Sequence, residues 1–159
     1  MTRVGLGFDL HPLARGRSLV LGGVTIPSEV GLAGHSDADV LSHAIGEALL
    51  GALALGDLGR HFPDTDPRYA GISSLALLRE VMTLVRARGG LLVNVDATVL
   101  AQAPRLSSLL AEMAKRLADA LGVEPGTVSV KAKSPEGLGF LGRKEGMAAM
   151  AVVAVEVAP

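Results

Sequence analysis

Cysteine is absent from this chain of 159 residues, which excludes disulfides, thiolate nucleophiles and sulfur-ligated metal sites. Any metal must be held by His, Asp or Glu. Excess charge is also absent. Fifteen Lys and Arg against 16 Asp and Glu leave a net charge of −1, so the broad basic face that nucleic-acid binding needs is missing. No uninterrupted apolar stretch reaches the roughly 20 residues of a membrane span. The run from Met147 to Val157 is broken by Glu156 and reads as a buried strand. The first residues, Met1 to Gly5, pass into a strand-like run without a signal-peptide pattern. Neither nucleic acid nor membrane is expected as a partner, and a cytoplasmic location is.

What is present is a large apolar fraction, 49%, mostly Ala, Leu and Val. The length suits one domain, residues 1–159, with a substantial core. The surplus of apolar residues in so small a chain points to burial between subunits, hence an oligomer.

The periodicities predict an α/β (α+β) fold: a four-stranded sheet with helices on one face and a small β-hairpin appended. Val4 to Leu10 is predicted as a strand that ends at Asp9 and His11, and Ser18 to Pro27 as a hairpin turning at Gly22-Gly23. Glu29 to Gly34 reads as a loop. Asp37 or Asp39 caps a helix with an apolar face of Val40, Leu41, Ala44, Ile45, Ala48, Leu49 and Ala52. On it Asp39, His43 and Glu47 recur every four residues, as one polar stripe. Further helices are predicted from Ser73 or Ser74 to Arg88 and over Leu106 to Leu121, and strands over Leu91 to Leu100, Val128 to Ala132 and Met147 to Val157.

The sharpest chemical feature is Asp9-x-His11 with His43. Strand side chains alternate, so Asp9 and His11 share one face, and a helix crossing the strand end would add His43. Two imidazoles and a carboxylate, with a fourth position open, is a common catalytic zinc set. Glu47, one turn beyond His43, is either a carboxylate orienting that imidazole or an exposed helix residue. Gly5-x-Gly7 lacks the third glycine of a dinucleotide fingerprint and fits close backbone approach better. Asp57, Asp64 and Asp66 fit turn capping. Ala101 to Arg105 lies where a strand meets a helix, suiting a phosphate or a base. Lys131, Lys133, Ser134 and Glu136 suit either a metal-bridged phosphate or a solvated loop. Gly139 to Arg143 is an apolar knob and a guanidinium between glycines, or simply a hairpin turn.

Taken in order, Gly7-Phe8-Asp9-x-His11, Gly22-Gly23-Val24-x-Ile26-Pro27, His35-Ser36-Asp37-x-Asp39-x-x-x-His43 and Gly56-Asp57-x-Gly59 resemble one family. Phe62-Pro63-Asp64-Thr65-Asp66, Ala101-Gln102-Ala103-Pro104 and Gly139-Phe140-x-Gly142-Arg143 complete the match. The family is the 2-C-methyl-D-erythritol 2,4-cyclodiphosphate synthases of non-mevalonate isoprenoid biosynthesis. The resemblance implies a homotrimer with its sheets facing the threefold axis and active sites between subunits. The implied reaction is an intramolecular attack. The 2-phosphate of 4-diphosphocytidyl-2-C-methyl-D-erythritol 2-phosphate attacks the β-phosphorus, giving the cyclic diphosphate and CMP. The reaction is that of a phosphorus-oxygen lyase.

The same resemblance implies that Asp9, His11 and His43 bind Zn2+, which holds a phosphate oxygen, and that Glu136 binds Mg2+ or Mn2+ with the diphosphate. His35 and Ser134 would be catalytic, with His35 and Ser36 on the 2-phosphate. Asp57, Leu58, Gly59 and Phe62, with Pro63, Asp64, Thr65 and Asp66, would surround the methylerythritol. Ala101, Gln102, Ala103, Pro104, Arg105, Leu106 and Ser107, with Ala132, Lys133, Ser134 and Pro135 of the neighbouring loop, would clasp cytidine and diphosphate. Phe140 and Arg143 would line an axial channel for a prenyl diphosphate. The chain departs from the family in having Lys133 and Ser134 where threonines are frequent, Arg105 where Lys is, and Glu47 where Asp is. Two alternatives use the same residues: a zinc-dependent phosphohydrolase, and a prenyl-phosphate-binding trimer without catalysis.

Overall fold

The computed structural model describes residues 1–158. Strand β1 (Thr2–Arg15) runs beyond its predicted end and carries Asp9 and His11 in its second half. A hairpin follows, β2 (Leu19–Leu21) and β3 (Val24–Ile26). Its two-residue turn, Gly22-Gly23, has φ of +55° and +73°, the left-handed conformation that tight hairpins require and glycine adopts without a Cβ clash. Val30–Leu32, read from sequence as loop, is a short strand, β4, paired antiparallel with Leu13 to Arg15. Three alternating residues are too few to give a periodic signal.

Helix α1 (Val40–Ala52) is followed by a single turn, α2 (Leu58–His61), then α3 (Ser74–Ala87) and β5 (Gly90–Leu100). Helix α4 (Leu110–Leu121) begins four residues later than periodicity suggested and ends at Gly122, φ +68°. Strand β6 (Val128–Lys133), the one-turn helix α5 (Gly139–Gly142) and β7 (Gly146–Val157) complete the fold. The segment read as a possible hairpin turn at Gly139 is thus helical.

The main sheet has five strands in the order β4-β1-β7-β5-β6, antiparallel except for β5 and β6, which are parallel and joined through α4. Four strands are those expected, and β4 is an added edge. Helices α1, α3 and α4 cover one face, where Val95, Ala97, Val99, Ala149, Ala151 and Val153 are buried in one continuous cluster. The residues between them point the other way. Val4, Leu6, Phe8, Leu10, Leu91, Val93, Met150 and Val152 are 43–68% exposed, an uncovered apolar face of the kind that marks an association surface.

Candidate active site

Glycine placement brings the site together. A Cβ on Gly5 would lie 1.8 Å from the Ala48 carbonyl oxygen, and one on Gly7 1.9 Å from that of Ala44. Helix α1 therefore rests directly on β1, and His43 stands over the stretch of that strand that carries Asp9 and His11. Gly5-x-Gly7 is a packing device, as its missing third glycine suggested.

Asp9 Oδ2, His11 Nε2 and His43 Nδ1 form a triangle, with separations of 3.0, 3.0 and 3.1 Å. A tetrahedral ion about 2.0–2.1 Å from each donor sets its ligands about 3.3 Å apart, so the triangle fits zinc with little adjustment. His11 Nδ1 lies 3.0 Å from the Ala33 carbonyl oxygen. That oxygen can only accept, so Nδ1 bears the proton and the Nε2 lone pair faces the triangle. Three acceptor atoms this close repel unless a proton or cation lies among them. Burial raises the Asp9 pKa, yet hydrogen bonds and charge from His11 and His43 outweigh it and bring it down to about 2. The His11 pKa is raised by its hydrogen bond to Asp9, against burial. Among the described residues these three lie close enough together to hold a metal ion, and Glu136 is not among them.

The triangle sits at the base of a cavity of about 330 Å³. His35, Ser36, Leu58, Phe62 and Asp64 line it. Tyr69 and Leu77 line it too, without any signal in the sequence that would have singled them out. Tyr69 packs edge-on against Phe62, their ring centroids 5.4 Å apart. Asp57 caps α2 through the Arg60 N–H. The Asp66 carboxylate is engaged by Arg68 at 2.6 Å, while its carbonyl oxygen lies 3.1 Å from His35 Nε2. Gly59, Pro63 and Thr65 belong to the same α2 segment and its turn but do not line the cavity.

The polar stripe on α1 divides. Asp39 is fully buried and accepts from Gly22 N, Gly23 N, Ser42 N and Ser42 Oγ at 2.7–3.1 Å. It caps α1 and organises the hairpin turn, and it takes no part in the cavity. Burial raises its pKa against those donors. Glu47 lines the cavity, but its Oε1 accepts from Leu58 N at 3.1 Å and it makes no hydrogen bond to His43. It anchors α2 instead of orienting the imidazole. His43 Nε2 points away from the triangle toward two hydroxyls, Ser74 Oγ at 2.8 Å and Ser36 Oγ at 3.1 Å. Arg17 was also missed: its guanidinium donates to the carbonyls of Leu32, Gly34 and Ser36 at 3.1–3.2 Å, spanning the segment that presents His35.

A second cavity, of about 430 Å³, is lined by Ala101, Gln102, Pro104, Arg105, Leu106 and Ser107 with Ala132, Lys133 and Ser134. It shares no residue with the first. Gln102 Oε1 accepts from Gly137 N at 2.9 Å, tying this cavity to the loop that carries Ser134, Pro135 and Glu136. Phe140 is 43% exposed, and Arg143 Nε donates to Glu145 at 2.7 Å.

The YgbB family model matches residues 2–156. A 2-C-methyl-D-erythritol 2,4-cyclodiphosphate synthase from Pelotomaculum thermopropionicum is 58% identical over 153 residues, 96% of this chain and 94% of that protein. The solved bifunctional IspDF of Campylobacter jejuni superposes with a TM-score of 0.95 at 40% identity, over 99% of this chain and 43% of that longer one. An IspF of Plasmodium falciparum solved as a CDP complex gives a TM-score of 0.86 at 31% identity, over 99% of this chain and 97% of that one.

Proposed function

The chain belongs to the YgbB family, and we propose on that premise that it forms 2-C-methyl-D-erythritol 2,4-cyclodiphosphate and CMP from 4-diphosphocytidyl-2-C-methyl-D-erythritol 2-phosphate. It is an enzyme of isoprenoid precursor synthesis whose relatives carry that name, and of the lyase class, since CMP departs without water. The observation that carries the reading is the Asp9–His11–His43 triangle at the base of a cavity rimmed by His35 and Ser36.

In the reaction an oxygen of the 2-phosphate bonds to the β-phosphorus while the bond from that phosphorus to the α-phosphate oxygen breaks, and CMP takes the electron pair. One phosphorus–oxygen bond replaces another, so no protein nucleophile is required and catalysis is positioning and charge neutralisation. Zinc held by Asp9, His11 and His43 would supply positive charge at a phosphate oxygen. His35 and Ser36 hold the attacking phosphate. Leu58, Phe62 and Asp64 enclose the methylerythritol, with the rest of the segment to Asp66 shaping the rim. Ser134 donates its hydroxyl, and Lys133 and Arg105 their charges, to the diphosphate. Glu136 would hold magnesium or manganese there, and Ala101 to Ser107 would clasp the cytidine.

The two groups of residues line separate cavities in one chain. That separation and the uncovered apolar face around Leu6, Phe8 and Met150 support an active site completed by a neighbouring subunit in a homotrimer. Phe140 and Arg143 would then face the threefold axis, where a prenyl diphosphate could bind. No helix among the described residues is long and apolar enough to cross a membrane, and we assign the enzyme to the cytoplasm.

Phosphorus NMR on the zinc-loaded protein with substrate and magnesium tests the assignment. CMP with a cyclic diphosphate is expected. Free phosphate or a linear product would instead make it a hydrolase, and unchanged substrate a binding protein.

A further inference from the structure

We infer that Ser74, itself held by Asp37, is a positioning residue that fixes His43 with its proton on Nε2 and so turns the Nδ1 lone pair toward Asp9 and His11. The inference rests on the metal reading of that triangle.

Ser74 is fully buried at the first position of α3, 31 residues from His43 in sequence. Its backbone N–H donates to Asp37 Oδ2 at 3.0 Å, and its hydroxyl donates to Asp37 Oδ1. A serine hydroxyl has one hydrogen, and an ionised carboxylate only accepts. With that hydrogen committed to Asp37, Ser74 Oγ can meet His43 Nε2, 2.8 Å away, only as an acceptor. The imidazole proton therefore sits on Nε2. The other ring nitrogen, Nδ1, is the atom 3.0 Å from Asp9 Oδ2 and 3.1 Å from His11 Nε2. Hydrogen bonds in such a chain polarise one another, so the Asp37 charge makes Ser74 Oγ a better acceptor than an isolated hydroxyl.

The two metal-facing imidazoles are thus oriented by different means. His11 is set by a backbone carbonyl, which no substitution removes, and His43 by a serine and carboxylate, which can be altered. Ser36 Oγ is a second acceptor 3.1 Å from Nε2, but it also receives the Ala38 N–H at 3.1 Å. Its own hydrogen is not directed to Asp37, so it enforces the proton position less strictly. The segment is rigid enough to hold this arrangement: Gly71 N donates to the His35 carbonyl at 2.8 Å, and Asp37 N to that of Ile72 at 3.0 Å.

A purely structural role for Ser74 would be to start α3. That role belongs to its backbone N–H on Asp37, which Ser74→Ala leaves in place. Orienting partners of metal-bound histidines are worth about 10–100-fold in affinity. Zinc affinity, measured by competition with a chelator, should fall by that factor in Ser74→Ala, with near-native circular dichroism and a melting temperature lowered only as far as one lost hydroxyl–carboxylate bond requires. Ser74→Thr, which keeps the hydroxyl, should recover most of it, and Ser36→Ala should lose less than Ser74→Ala. In zinc-loaded wild-type protein, nitrogen-15 NMR should find His43 protonated on Nε2 and metal-bound through Nδ1. That measurement needs no variant, and metal on Nε2 overturns the proposal. So does a Ser74→Ala protein that binds zinc within about twofold of wild type, a span well inside the effect expected. Wild-type protein that takes up no zinc would overturn the metal reading itself and the proposal with it.

Discussion

Gly7 lies so close beneath Ala44 that a side-chain carbon on it would sit 1.9 Å from the Ala44 carbonyl oxygen. Two residues along the strand is Asp9, and one residue back along the helix is His43. The same contact that seats α1 on β1 therefore sets the width of the metal triangle.

Gly7→Ala must force helix and strand apart, because the obstacle is backbone and not a flexible side chain. Overpacking costs typically about 1–3 kcal/mol, occasionally more, and the separation should also spread Asp9 and His11 from His43. Urea unfolding should show a loss of about 3 kcal/mol. Chelator competition should show weakened zinc binding even where the fold survives.

His43→Ala removes one ligand from the triangle and fills nothing. His43 is 13% exposed and hydrogen-bonded at both ring nitrogens, so its loss should cost about 1–3 kcal/mol without unfolding the chain. Zinc measured by mass spectrometry should fall from one ion per chain to near none. Turnover should vanish while the oligomer persists in light scattering. Retained turnover without zinc would remove the metal from the mechanism.

The Asp-x-His pair, the hairpin glycines and the core helix with His43 were legible because each is carried by local periodicity or by a turn's φ requirement. The triangle followed from them. Ser74, Arg17 and Tyr69 were not legible. Ser74 reaches Asp37 across 37 positions, and Arg17 reaches carbonyls 15–19 residues ahead. No local pattern encodes such pairings. Asp39 caps α1, one of the two caps expected, but a four-residue spacing does not say that the hairpin amides also meet it, nor that Glu47 turns to Leu58 N. Asp39 sits at the cap, where the hairpin amides claim it.

The metal-free protein should be most stable over a bounded pH range. The Asp9 carboxyl drops from 3.8 to about 2 on folding, so its contribution is complete above 3.8 and lost as pH falls through about 2. The His11 pKa is raised from 6.5, so its contribution is complete below 6.5 and lost as pH rises through the higher folded value. Between 3.8 and 6.5 both are present. Unfolding in denaturant across this range should show the plateau, and His11→Gln should abolish its alkaline edge. Zinc affinity should run the other way, increasing as pH rises and the His11 proton leaves.

Arg17 gathers the carbonyls of Leu32, Gly34 and Ser36 on one guanidinium, so Arg17→Met should loosen the segment that aims His35 and Ser36. The expected result is a fall in kcat/KM of about tenfold, as for one lost charge-assisted hydrogen bond. Zinc should still bind when supplied in excess, since none of the three ligands hydrogen-bonds to Arg17. It should bind more weakly, because the loosened segment carries Ala33 and Ser36, the partners of His11 and His43. Arg17→Lys should fail to restore the rate, because an ammonium lacks the planar fork that spans alternate carbonyls. Full recovery by lysine would reduce Arg17 to a charge.

The uncovered sheet face yields the test of assembly. Leu6 and Val152 are directly paired across β1 and β7, and both are exposed, as are Phe8 and Met150 one step along. Placing a carboxylate among them leaves the monomer fold alone, since the face carries no intrachain packing, but it buries a charge in any subunit contact made there. Leu6→Glu should therefore run as a monomer in light scattering, with near-native circular dichroism. It should still bind zinc, because Asp9, His11 and His43 come from one chain. Turnover should nevertheless be lost, since the second cavity, with Arg105, Lys133 and Ser134, would have no neighbour to serve. A monomer that keeps full turnover would show that one chain completes the site by itself.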